Sequence, residues 1–368
     1  MRTMTSTGNS PDTNSSDAHQ FKQEADAHPI DEDRLARSLE TAGLQLDRDQ
    51  PIQQFATGLA NINYRLSIGG RLMVLRRPPP GDLPPGAHDM KREHRVLSRL
   101  HEIHPLAPQS LHLCEDIEVL GVPFQIIEYR PGMVIKGDDA TLLKDRPERC
   151  RRLGHMLVET LVSVHHVDVA QIGLADFGKP DGFVARAIKG WRARAERLNP
   201  VTSTASLATE LGEWLDVQTI NTRPPTLLHS DMKLDNLILD PDTLEPTAIV
   251  DWDMSTRGDP LFDLATMLSY WTEPDDPECM HRLAQMPTIL PGFPSRDEIV
   301  ELYAAQAAID VSDFKVFRVL AMYKLAVVFL QLHAVYGTGV KADPRYQDFD
   351  RLGEELFLFT RDVAQNRV

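Results

Sequence analysis

The chain has 368 residues, enough to bury a sizeable core and to divide into two lobes. Hydrophobic residues make up 42% and charged residues 25%, while the net charge of −15 argues against nucleic acid or an anionic membrane as a partner. Cys114, Cys150 and Cys279 stand apart with no CxxC, which excludes a cysteine zinc cluster or disulfide framework and points to a reducing, cytoplasmic compartment.

The first residues, MRTMTSTGNSPDTNSSD, lack the apolar stretch of a signal peptide, and residues 1 to 28 are predicted as a disordered tail. A short helix carrying Leu35, Leu39 and Leu44 follows. IQQFATGLANINYRLSIGGRLMVLRR then holds two alternating runs joined at Gly69-Gly70, a hairpin signal. The prolines from Pro78 to Pro85 end it, since proline cannot donate to a ladder. A helix is predicted at 88–103, and VPFQIIEYRPG reads as a strand entering a turn. Helical patterns then fill 147–166, 183–197, 205–219, 261–271, 296–307 and 312–335, interrupted by a strand-rich island at 226–252. No segment reaches the roughly 18 uninterrupted apolar residues of a membrane span. The expected class is α+β: a small N-terminal sheet lobe at 29–127, a hinge at 128–132 and a larger, mainly helical lobe at 133–368.

LLHSDMKLDNLILDPDTLEPTAIVDWD carries most of the functional argument. Two apolar triplets, Leu237 to Leu239 and Ala248 to Val250, flank the turn residues Asp240-Pro241-Asp242-Thr243. A hairpin centred between Thr243 and Leu244 sets Leu237 opposite Val250 and Asn236 opposite Asp251. Asp231 arrives from the preceding loop. Two carboxylates and an amide suit a hard cation such as Mg²⁺, which bridges polyphosphate oxygens. The pattern matches a kinase-like catalytic Asp, an Asn five residues later and a metal-binding Asp after a hairpin. Asp231 is therefore assigned to the substrate hydroxyl, and Asn236 and Asp251 to the metal. His229 reads as a structural residue of the loop, and Lys233 as a phosphate contact or a solvated lysine. Asp259 is expected to cap a helix with Pro260 at its first position, placing Asp263 in the first turn to accept hydrogen bonds from the catalytic loop.

In the small lobe, MKREHRVLSRLHEI aligns Glu93 with the apolar stripe Val96, Leu97, Leu100 and Ile103. A buried carboxylate needs a partner. Arg76 and Arg77 end the preceding strand on opposite faces, and Arg76, on the face of Val74, is assigned to Glu93 and to phosphate. Met73-Val74-Leu75-Arg76 fits the kinase Val-Ala-Ile-Lys pattern with arginine in place of lysine. Gly58 and Asn61, within Thr57–Asn63, lie where a phosphate-covering loop belongs, although a plain β-turn reads equally well. Glu128-Tyr129 sits at the expected hinge, where backbone groups hydrogen-bond adenine.

The order and spacing of Arg76, Glu93, Asp231, Asn236, Asp251 and Asp263 resemble the aminoglycoside phosphotransferase and choline kinase-like superfamily over residues 50 to 340. The chain is similar in particular to the phosphotransferase domain fused to acyl-CoA dehydrogenases, through VLRRPPPGDLPPGAHDMKREHRVLSRL, Asp251-Trp252 with Ser255-Thr256, and DLATMLSYW. The resemblance implies a bilobal protein-kinase-like fold, ATP and Mg²⁺ as cofactors, and O-phosphorylation of a small-molecule hydroxyl, with hydroxy-acyl compounds as the implied acceptor class. An aminoglycoside or amino-alcohol kinase, or a non-catalytic nucleotide-binding protein, are the competing readings. On the substrate side, Lys324 in an otherwise apolar helix calls for an Asp or Glu partner or an acid group on the substrate. Trp271, with Tyr270 and Trp191, either lines a pocket or packs the core; Arg257 contacts phosphate or pairs with a surface acid. The oligomeric state is not legible.

Overall fold

The computed structural model describes residues 21–56, 61–79, 88–137, 141–198, 202–337 and 343–368. The chain divides into two compact units, one running to Ser98 and resuming over Pro108–Tyr129, the other formed by Arg99–Ala107 and Arg130–Val368.

The first unit contains α1 (Glu32–Thr41), β1 (Gln53–Gln54), β2 (Ile62–Ile68), β3 (Arg71–Arg77), most of α2 (Met90–Leu100), β4 (Ser110–Cys114), α3 (Ile117–Leu120) and β5 (Phe124–Glu128). Its five strands form one antiparallel sheet in the order β1-β2-β3-β5-β4. Gly69 and Gly70, at φ +56° and +76°, close the β2–β3 hairpin with the two left-handed residues that a two-residue turn requires. Alternation along β2 turns Ile62, Tyr64, Leu66 and Ile68 into the core. Asp31 caps α1 through the Arg34 N–H, and that helix sets Leu35 and Leu39 on the same core, each contributing about 2 kcal/mol by burial. Arg76 and Gln125, cross-strand partners on β3 and β5, share the other face.

Two boundaries differ from expectation. The predicted tail extends to residue 28, yet Phe21 bridges Phe55 with rings 5.0 Å apart, and the Lys22 N–H donates to Gln54 O at 2.9 Å. An aromatic pair and a ladder bond outweigh the polar composition there. Residues 99–107, assigned to the small lobe, group with the second unit: His104 Nε2 meets Ser163 Oγ at 3.0 Å, and Leu106 O accepts from the Ile249 N–H at 2.8 Å.

The second unit carries α4 (Pro147–His165), α5 (Phe183–Leu198), α6 (Thr202–Asp216), β6 (Thr226–Leu228), β7 (Leu237–Leu239), β8 (Pro246–Ile249), β9 (Thr256–Gly258), α7 (Pro260–Ser269), α8 (Glu278–Leu283), α9 (Arg296–Ala307), α10 (Phe314–Leu332) and α11 (Phe349–Ala364). Pro147 and Pro260 occupy first-turn positions of α4 and α7, and Ser295 and Glu298 form a capping box on α9. By length and composition α10 could cross a bilayer, but it is mostly buried inside this unit, packed on α11 and α7. The two short ladders β7–β8 and β6–β9 carry the loops that matter for function.

Candidate active site

Asp231 lies on the loop between β6 and β7, and three features fix that loop. Asp263, fully buried in the first turn of α7, accepts from the His229 N–H and the Ser230 N–H, both at 2.7 Å. Burial opposes charge on Asp263, but the hydrogen bond and charge of His165 and the His229 contacts hold its carboxyl below the usual range. His229 receives the Asp231 N–H on Nδ1 at 3.3 Å, so Nε2 carries the proton donated to Val250 O at 3.0 Å. Ser230 takes φ +69°, a conformation uncommon for a residue with a Cβ, and Lys324 Nζ bonds its carbonyl at 3.1 Å.

The Asp231 carboxylate is gripped at both oxygens. Tyr270 Oη donates to Oδ1 at 2.7 Å, and Asn236 Nδ2 donates to Oδ2 at 3.0 Å. Lys233 Nζ stands 3.6 Å from Asp231 Oδ2 and 3.5 Å from Asp235 Oδ2. Burial works against charge on Lys233, yet Asp231, Asp235 and Asp251 together reverse this and raise it above the ordinary lysine range. Burial first, then the negative charges of Asp231 and Asp251, push Asp235 up against the opposing pull of Lys233.

The hairpin carrying Asn236 and Asp251 differs by one residue from the expected register. Leu237 pairs with Ile249, and the Val250 N–H bonds Asn236 O at 2.9 Å, so Asn236 faces Val250. The loop closes between Asp240 and Glu245, Asp240 Oδ1 capping Thr243 N at 2.9 Å, and a bulge at Ile238/Leu239 absorbs Thr247. Asp251 then lies just past the last pair at φ +67°, a turn that aspartate tolerates. Two left-handed non-glycine residues, Ser230 and Asp251, thus bracket this acidic set, the kind of backbone strain that functional loops store. With the Asn236 amide nitrogen engaged by Asp231, its oxygen is the atom offered to a metal.

The donor chemistry fits a hard divalent cation: the carboxylates of Asp231 and Asp251 with the Asn236 oxygen. Among the described residues no cluster of three or more His, Cys, Asp or Glu is arranged to hold an ion from the protein side alone. A cation here would complete its shell with oxygens from elsewhere.

In the first unit, Arg76 Nε donates to Glu93 Oε2 at 2.7 Å, both side chains being buried. Asn63 Oδ1 lies 3.4 Å from Arg76 Nη1, and Gln125 Nε2 also donates to Glu93. Arg77 turns to the opposite face, where Tyr64 Oη and Leu120 O receive it. Asn61 is buried with its Oδ1 2.9 Å from His88 Nδ1, whereas Gly58 lies outside the described residues. The Glu128 N–H donates to the Gln109 carbonyl at 2.8 Å and its side-chain Oε2 accepts from the Gln109 N–H at 3.1 Å, while Tyr129 stacks on Phe55 at 6.4 Å.

Three substrate-side residues are engaged within the protein, and Trp271 takes the core-packing alternative. Trp271 is fully buried, its Nε1 donating to Pro294 O at 3.2 Å and its ring edge-on to Phe293, so it packs the core. Arg257 reaches the Ala175 carbonyl, because its strand position on β9 directs it there rather than to the acidic loop. Lys324 is buried and bonds the Ser230 carbonyl instead of an acid, and burial lowers its pKa despite the nearby charges of Asp231 and Asp263. Sequence reasoning missed Asp235, the role of Tyr270, and His165, which bridges Asp263 and Tyr303. Lys-Leu-Asp-Asn around Asp235 was the one available signal; Tyr270 and His165 are too distant in sequence to have had one.

A family model described as a phosphotransferase enzyme family matches residues 51–299. The chain belongs to the phosphotransferase enzyme family. It is 29% identical over 313 residues to mouse acyl-CoA dehydrogenase family member 10, covering 84% of this chain and 29% of that protein. It is 28% identical over 318 residues to chicken acyl-CoA dehydrogenase family member 11, covering 83% and 39%. The chain thus spans well under half the length of these relatives. Among solved structures it resembles a candidate aminoglycoside phosphotransferase from Ralstonia eutropha JMP134, with a TM-score of 0.68 at 22% identity, covering 91% of this chain and 99% of that one. It also resembles a thermostable mutant of aminoglycoside phosphotransferase APH(4)-Ia in a ternary complex with AMP-PNP and hygromycin B, with a TM-score of 0.56 at 15% identity, covering 88% and 97%. These likenesses identify the fold: kinase-like, with a small antiparallel sheet unit and a larger helical one.

Proposed function

We propose that this phosphotransferase uses ATP with Mg²⁺ to phosphorylate a hydroxyl of a small molecule, a hydroxy-acyl compound being the leading acceptor. The observation that carries the reading is the Asp231 carboxylate, held at one oxygen by Asn236, on a loop whose backbone Asp263 fixes. A carboxylate so fixed can accept the hydrogen bond of an acceptor alcohol, orient its oxygen toward phosphorus and take its proton as the new P–O bond forms and the bond to ADP breaks. Asn236 and Asp251 would hold Mg²⁺, which supplies charge neutralisation on the phosphate oxygens when bound. Arg76, oriented by Glu93, offers a guanidinium edge suited to phosphate. The acyl preference rests on the names of the relatives, which are acyl-CoA dehydrogenase family members. Three buried, unpaired cysteines support a reducing compartment.

The test is ADP release with Mg·ATP across hydroxy acids, hydroxyacyl-CoAs, amino alcohols, sugars and aminoglycosides. Asp231→Ala is expected to lower turnover on the acceptor so found by orders of magnitude while ATP still shifts the melting temperature. Undiminished turnover in that variant refutes the role of Asp231. An ATP-induced shift that ignores Mg²⁺, with no ADP released, favours a non-catalytic nucleotide-binding protein instead.

A further inference from the structure

Tyr270 follows the last turn of α7, with its N–H on the Met267 carbonyl. Its ring is 9% exposed, and Lys233 Nζ sits over it, 5.4 Å from the centroid. Packing and the cation fix the ring, so its hydroxyl position is fixed too. That hydroxyl ends 2.7 Å from Asp231 Oδ1. We propose that Tyr270 is a positioning residue for Asp231, fixing the rotation of its carboxylate so that one face is presented to the acceptor. The inference rests on the reading of Asp231 given above.

The geometry makes the second donor necessary. The terminal torsion of an aspartate is soft, because an sp³–sp² bond has no sharp staggered wells. Asn236 grips only Oδ2, which leaves the carboxylate free to pivot about that contact; the phenol at Oδ1 removes the pivot. Space alone does not require the hydroxyl, since phenylalanine would fill the same volume. A buried hydroxyl is costly unless bonded, and Asp231 is the partner it has.

The experiment compares wild type, Tyr270→Phe, Asp231→Asn and the double variant in the full chain. ADP release is measured with Mg·ATP and the panel of acceptors, and crystal structures of wild type and Tyr270→Phe are determined in parallel. Loss of one hydrogen bond to a charged group should lower kcat about 10- to 100-fold in Tyr270→Phe. KM for ATP and for the acceptor should stay within about threefold. The double variant should be no slower than Asp231→Asn alone, because Tyr270 acts only through that carboxylate. A merely structural hydroxyl would shift the melting temperature and multiply the defect of Asp231→Asn. Tyr270→Phe turnover within about twofold of wild type overturns the proposal. If wild type releases no ADP with any acceptor, the functional reading fails separately. The crystal structures then decide: a rotated Asp231 carboxylate in Tyr270→Phe supports the positioning role, and an unchanged torsion overturns it.

Discussion

Lys324 Nζ donates to the backbone carbonyl of Ser230 at 3.1 Å, one residue before Asp231, so a buried lysine steadies the left-handed turn that leads into the Asp231 loop. Burial lowers its pKa below the ordinary lysine value of 10.5. The unfolded chain therefore binds more protons than the folded one between the lowered value and 10.5, and stability rises with pH across that window. Lys324→Met removes the titration. Urea unfolding in steps from neutral pH to about pH 10 should show an upward slope for wild type and a flatter line for the variant. Equal slopes would mean that folding leaves the Lys324 titration unchanged.

Asp263→Ala leaves the amides of His229 and Ser230 without acceptors in a dry site. The expected cost is about 3 kcal/mol, seen as a lower urea midpoint. The folded carboxyl is depressed below 3.8, so its contribution is complete above that value and fades as pH falls through the folded pKa. The acid limb of the stability curve should be shallower in Asp263→Asn than in wild type.

Arg76→Met leaves the buried Glu93 carboxylate without its cation, with Gln125 still donating to it, which should destabilise the chain by about 3 kcal/mol. The double substitution Arg76→Met/Glu93→Leu should recover most of that loss. A denaturation cycle over the four proteins measures the coupling; additive losses would mean that the pair is not a unit.

Lys233 sets one positive charge against the carboxylates of Asp231, Asp235 and Asp251, so Lys233→Met should lower thermal stability in chelator and regain it as Mg²⁺ is added. Wild type, with its own ammonium in place, should gain less. Asp251→Asn removes one carboxylate from the set and should reduce the Mg²⁺ dependence of melting in both backgrounds.

Much of this architecture was legible because it is written in local chemistry. Gly69-Gly70 demands a tight hairpin, Asp259-Pro260 starts a helix, and the Glu93 stripe announces a buried carboxylate that Arg76 answers. The contact of Asp231 with Asn236 was legible through spacing, since both lie on one short loop. The register error arose because the bulge at Thr247 depends on how the turn closes, which composition leaves open. The strand Ser110–Cys114 and the helix Phe349–Ala364 escaped notice, as did the contact of Tyr270 with Asp231, 39 positions apart. Such pairings are decided by tertiary packing, and periodicity holds no record of them.

The outer end of the β7–β8 hairpin is clamped by an isolated antiparallel bridge to Met133. Leu239 exchanges both of its backbone bonds with Met133, at 2.8 and 2.9 Å, and Gly132 there brings its backbone so close that an added Cβ would meet Leu239 O. Beyond that clamp, Pro241, Asp242 and Thr243 form an exposed tip, while Leu244 turns back into the core. Length changes in the tip are therefore mechanically isolated from Asn236. A short peptide tag or a fluorophore attachment point inserted between Asp242 and Thr243 should leave the acidic loop in place, giving a reporter position a few residues from the chemistry yet uncoupled from it.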